Sequence, residues 1–117
     1  MKISTINEST DITGKLDPLI AKYEKLKEKA EGTEELHYEL IMDRLKNATT
    51  KESLKDFLNL MYKNLIETKN ELAKNEVKLD PDNAFAKSAY ERRKISLNRA
   101  VLTYNDILSY GKSIKLF

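Results

Sequence analysis

The stretch Leu79-Asp80-Pro81-Asp82-Asn83-Ala84 decides the fold. Proline has no amide hydrogen and its ring clashes with the helical turn before it, so a helix arriving at Leu79 must stop there. Asp82 and Asn83 have short side chains that accept hydrogen bonds from the amides just after them, which lets a new helix start at Ala84. The chain reverses within a few residues, and so short a connection makes the two flanking helices antiparallel neighbours.

Upstream of the turn, Leu54, Phe57, Leu58, Met61, Leu65, Leu72 and Leu79 form an apolar stripe. Their spacing predicts one helix of about 30 residues, or about 45 Å at 1.5 Å per residue. Thr49 and Glu52 stand three apart ahead of it, the spacing of a capping box. The stripe is interrupted at Thr68 and Lys69 and thins beyond Leu72. Downstream, Ala86, Tyr90, Leu97, Val101, Tyr104 and Leu108 recur at near-heptad steps, with Ile95, Leu102 and Ile107 widening the face. A second long helix is expected from Ala84 to Ser109, closed by Gly111.

Towards the N-terminus, Asp17-Pro18 reads as an N-cap followed by a first helical residue, where a missing amide hydrogen costs nothing. This helix is expected over 18–31, with Leu16, Leu19, Tyr23, Leu26 and Ala30 facing inward. Gly32 offers left-handed backbone to end it, and Thr33 caps a second short helix over 34–47 that buries Leu36, Leu40, Ile41 and Leu45. Residues 1–15 show no sustained period and are expected to be a flexible segment, with docking of Ile3 and Ile6 as the alternative. A single helical domain is expected over 16–111 and a short tail over 112–117. The fold class is all-α, a small four-helix bundle with two short N-terminal helices and a long C-terminal antiparallel helical hairpin.

Composition agrees with this reading. A chain of 117 residues has room for one core. With 3 Gly and 2 Pro there are too few breakers for the turns of a sandwich or barrel, and 34% charged residues leave little apolar mass to enclose a large cavity. No run approaches the roughly 20 apolar residues of a membrane span. Residues 1–10 lack the apolar stretch of a secretory signal, so a cytoplasmic chain is expected.

The residue inventory argues against catalysis. There is no Cys, and His37 is the single imidazole, on a charged helix with no glycine-rich elbow to present a nucleophile. Glu34 and His37 form one Glu-x-x-His step, but a carboxylate di-metal site needs a second from another helix, and no second His exists. Gly14, Gly32 and Gly111 are isolated, so no phosphate cradle forms. No catalytic residue, cofactor or metal is expected, and the protein is expected not to be an enzyme.

Charge is distributed unevenly. From Ala84 onward, Lys87, Arg92, Arg93, Lys94, Arg99, Lys112 and Lys115 face only Glu91 and Asp106, a net charge of +5 that leaves −3 for the rest of the chain. Arginine and tyrosine are the side chains that anchor interfaces, so the candidate partner-binding residues are Tyr62, Arg92, Arg93, Arg99 and Tyr110. The leading expectation is a non-enzymatic helical protein–protein interaction module, an adaptor, chaperone or inhibitor that covers a partner protein, the partner having an acidic surface. A homo-oligomer and nucleic-acid binding through the basic fourth helix are the other expectations; the latter requires steep salt dependence.

The turn Asp80-Pro81-Asp82-Asn83, followed by a helix with Tyr90, Leu97, Val101 and Ile107, resembles the C-terminal half of type III secretion inner-rod and needle subunits. The resemblance covers about the last third of the chain and rests on a turn-plus-helix motif common to many hairpins, so no family is assigned from it. It implies a subunit of a helical assembly, such as a secretion-system rod or needle, whose last helix lines the polymer. Ala84-Phe85-Ala86 after the turn also resembles a tetratricopeptide junction, but no 34-residue self-similarity accompanies it.

Overall fold

A computed structural model describes residues 9–117. The expected mobility of residues 1–8, and any docking of Ile3 and Ile6, fall outside the described residues. The fold is all-α, with four helices among the described residues: α1 (Asp17–Lys29), α2 (Thr33–Asn47), α3 (Lys51–Lys78) and α4 (Ala84–Ser113). No described helix is long and apolar enough to cross a membrane. The described residues group into two compact units, one formed by 9–58 with Ile107–Phe117 and the other by Asn59–Asp106.

In the first unit, α1 and α2 pack on each other. Leu16, Leu19 and Tyr23 are buried at three- and four-residue steps, as the stripe requires, while Leu26 is exposed. The helix begins at Asp17 rather than Pro18, with Leu16 in the cap position and Asp17 kept in the first turn, where its charge meets the positive end of the helix dipole. It ends at Lys29, and Ala30 is already extended. Gly32, at φ 61° and ψ −130°, serves as the N-cap of α2 in a conformation that favours glycine, and Thr33 makes no capping bond.

Half of the buried face expected of α2 forms, at Ile41 and Leu45. Ile41, Met42 and Leu45 are buried, whereas Leu36 and Leu40 are 64% and 54% exposed. Two stripes compete on this helix. Leu36 and Leu40 continue into Asp43 and Asn47, whereas Tyr38, Ile41, Met42 and Leu45 stay apolar or aromatic over two turns, and the longer apolar run wins the core. Tyr38 stacks on Tyr23 with ring centroids 5.9 Å apart.

Residues 9–15, read as part of the flexible segment, are pinned to the α2–α3 corner. Ile12 donates its amide to the Thr49 carbonyl (2.8 Å) and Lys51 donates to the Thr10 carbonyl (3.3 Å), so Asp11 and Thr50 pair as an isolated antiparallel bridge. Ile12 is 1% exposed. The capping box of α3 sits one residue later than expected. Thr50 Oγ1 accepts from the Ser53 amide (3.1 Å) and Ser53 Oγ accepts from the Thr50 amide (3.0 Å).

The other end of α4 completes this unit. Gly111 does not stop the helix; it is buried inside it, and a Cβ there would overlap the Phe117 ring. The helix closes with a Schellman motif in which Leu116 donates to the Gly111 carbonyl (2.8 Å) and Lys115 to the Lys112 carbonyl (3.0 Å). Lys115 takes the left-handed conformation, φ 63°, that glycine normally supplies. The motif folds Leu116, 1% exposed, into the core, so the expected tail is part of the packed unit.

The second unit is the antiparallel hairpin of α3 and α4, and its turn forms as the sequence predicts. Asn83 donates to the Asp80 carbonyl (3.0 Å), the Asp82 amide donates to Asp80 Oδ1 (2.9 Å), and Asn83 Oδ1 caps α4 by accepting from the Ala86 amide (3.0 Å). Within this unit only Leu72 and Thr103 are fully buried among the described residues.

Two outcomes are expected. Lys115→Gly relieves the left-handed strain and raises stability by about 1 kcal/mol, whereas Leu116→Ala lowers it by about 2–4 kcal/mol, both read from urea unfolding midpoints. Thr13 donates to Asp11 through its hydroxyl and its amide and holds the carboxyl below its ordinary value of 3.8. A depressed folded-state value means that this contribution is intact above about pH 3.8 and is lost as pH falls through the depressed value. The Thr13 amide resonance should therefore titrate with a midpoint below 3.8, and a midpoint at or above 3.8 would contradict the bond.

Candidate functional site

Two packed helices bury one stripe of each and leave the remainder to solvent. On α3 the inward line is Leu65, Thr68, Leu72 and Leu79, and on α4 it is Ala86, Tyr90, Leu97, Ala100 and Tyr104, all half-buried or buried. Large apolar side chains lie off these lines. Phe85 (79% exposed), Ile95 (57%) and Leu102 (71%) stand out to solvent on α4, with Tyr62, Ile66 and Val77 exposed on α3.

The five residues proposed from sequence do not form one patch. Tyr62 packs against Tyr104, with centroids 5.9 Å apart, and keeps one face exposed. Arg92 stands twelve residues from Tyr104 along α4, which is about 18 Å in a helix. Arg93 reaches across the hairpin to Glu71, with Nη2 to Oε2 at 2.8 Å, an exposed pair worth at most about 1 kcal/mol. Tyr110 belongs to the first unit, where its hydroxyl donates to the Lys15 carbonyl (2.8 Å) and ties α4 to the segment before α1.

Arg92 and Arg99 do share a surface. They are seven residues apart on α4, and Ile95 and Leu102 fall three residues after each, so Arg92-Ile95-Arg99-Leu102 forms a second heptad line on the side away from Leu97 and Tyr104. Arg92 is exposed and Arg99 is half-buried. The sequence reading assigned Ile95 and Leu102 to the packed face. Their mutual seven-residue spacing, offset from the Tyr90-Leu97-Tyr104 line, was the signal that separates them from it.

A further exposed apolar feature lies in the first unit. Leu36 and Leu40 line a groove of about 530 Å³ together with Glu39, Met42, Asp43 and Lys46 of α2 and Lys27 of α1. His37 packs edge-on to Tyr38, centroids 5.3 Å apart. Among the described residues no cluster of three or more His, Cys, Asp or Glu is disposed to hold a metal ion.

An element that buries few apolar side chains opens at low cost. Amides of the hairpin in 62–102 are expected to exchange with deuterium faster than those of Leu45, Leu54 and Ile107; equal protection in both units would contradict this division of the core. No protein-family model, no curated protein and no solved structure matches this chain.

Proposed function

We propose that this protein is a non-enzymatic helical interaction module that acts by covering a surface of another protein, with α4 as the contacting element. The observation that carries the reading is the outer line of α4, where Ile95 and Leu102 are held in water, alternating with Arg92 and Arg99. Exposed apolar side chains bounded by charge are a common feature of docking surfaces, and arginine beside them favours a carboxylate-bearing partner. The partner class is thus an amphipathic, acidic protein surface.

Nucleic acid fits this line less well. A phosphate backbone rewards cations and gains nothing from Ile95 and Leu102, while Arg93 is already engaged by Glu71. Each anchor in such an interface is worth about 1 kcal/mol or more, so losing both apolar anchors weakens binding by about tenfold or more. The test is affinity capture from cells that make the protein, at moderate salt, comparing wild type with an Ile95→Glu/Leu102→Glu variant of unchanged helicity. A discrete partner retained by wild type and lost by the variant supports the reading. Equal capture by both, or a labelled RNA or DNA bound with steep salt dependence, would overturn it.

A further inference from the structure

Three of the four arginines of the chain, Arg92, Arg93 and Arg99, stand around one serine. Ser96 follows Arg92 by four residues and Arg93 by three, and precedes Arg99 by three, all within α4. These steps make side chains neighbours on a helix, with about 5–6 Å between Cβ atoms. Ser96 is exposed, and no other described serine or threonine has more than one arginine at such steps. The nearest acidic residues leave this cluster basic. Glu91, five residues before Ser96, lies about 140° around the helix from it, and Asp106 is ten residues or about 15 Å further along. On α3, Glu71 holds Arg93 at 2.8 Å, and Glu67 lies one turn before Glu71.

We infer that Ser96 is a phosphorylation site for a serine kinase with an acidic substrate cleft, and that its phosphate engages Arg92 and Arg99 and so withdraws both cations from the outer line of α4. The inference rests on the reading of α4 as an interaction surface and adds its regulation. Arg92-Arg93-Lys94 lies just N-terminal to Ile95-Ser96, so three cations enter such a cleft ahead of the hydroxyl. A kinase takes its acceptor in extended form. The hairpin permits this at low cost, since among its described residues only Leu72 and Thr103 are fully buried. The Ser96 oxygen attacks the terminal phosphorus of a nucleoside triphosphate; that O–P bond forms, the bond to the bridging oxygen breaks, the nucleoside diphosphate leaves and the hydroxyl proton passes to the kinase. The phosphate brings about −1.5 to −2 charge and three acceptor oxygens to a site whose guanidiniums bind such groups with paired hydrogen bonds. A carboxylate on a partner then meets Arg92 and Arg99 already neutralised, and Arg93 is contested between the phosphate and Glu71.

Mass spectrometry of the full chain isolated from the cells that make it should find phosphate on Ser96. With a purified basophilic serine kinase and ATP, the wild type should gain one phosphate there, and Arg92→Ala/Arg93→Ala protein should gain it about tenfold more slowly or less, as two charged contacts to the kinase are lost. Phosphorus NMR of the phosphorylated chain separates a held phosphate from a solvated one. Neighbouring guanidiniums favour the dianion, so the phosphate should titrate at lower pH than free phosphoserine and return towards it in Arg92→Gln/Arg99→Gln. Cellular protein without phosphate on Ser96, or a phosphate that titrates as free phosphoserine does, overturns the inference. So does a partner captured equally by phosphorylated and unphosphorylated chain. In each of these cases, capture by the unphosphorylated chain that is lost on Ile95→Glu/Leu102→Glu leaves the interaction role of α4 standing.

Discussion

A pair of antiparallel helices has only one shared seam, and every large apolar side chain outside that seam must face water or something else. This constraint separates the two units of the chain. In the first, α1, α2, the N-terminal end of α3 and the C-terminal end of α4 surround Ile12, Leu16, Leu19, Tyr23, Ile41, Leu45, Leu54, Ile107 and Leu116, all nearly inaccessible to solvent. In the second, the hairpin has no third element among the described residues, and Phe85, Ile95 and Leu102 remain outside.

The closures of the first unit show how a small core is completed by non-local pieces. The strand-like pairing of Asp11 with Thr50 delivers Ile12, the Schellman motif after α4 delivers Leu116, and the Tyr110 hydroxyl bonds the Lys15 carbonyl. Each uses backbone polar groups that a helix end or loop would otherwise leave without partners. The left-handed Lys115 is the local strain accepted for the last of these turns, and burial of Leu116 offsets it.

The hairpin turn, the caps at Asn83 and near Thr50, and the existence of all four helices were legible in the sequence because proline, short polar caps and three-to-four periodicity act locally. The face buried by α2 was harder to read, since two stripes of similar strength share fifteen residues and only packing chooses between them. The pinning of residues 9–15 and the passage of α4 through Gly111 depend on partners distant in sequence, Thr49 in one case and Leu116 with Phe117 in the other. Of the candidate site, Arg92 and Arg99 were legible from charge. Ile95 and Leu102 on the same line were not, because an apolar residue on an amphipathic helix reads as core until the neighbouring helix shows which line it covers. Tyr110 and Arg93 were assigned outward on residue type, while the fold uses them for bonds within the chain.

The central claim is that Ile95 and Leu102 are held in water on a folded chain. Methyl NMR of dilute protein with a soluble nitroxide measures this directly, because relaxation enhancement follows the accessibility of each methyl group. The account predicts strong broadening at Ile95, Leu102, Leu36 and Leu40, with Ile12, Leu45 and Ile107 protected. Ile95 and Leu102 methyls as protected as those of Ile107 would contradict it.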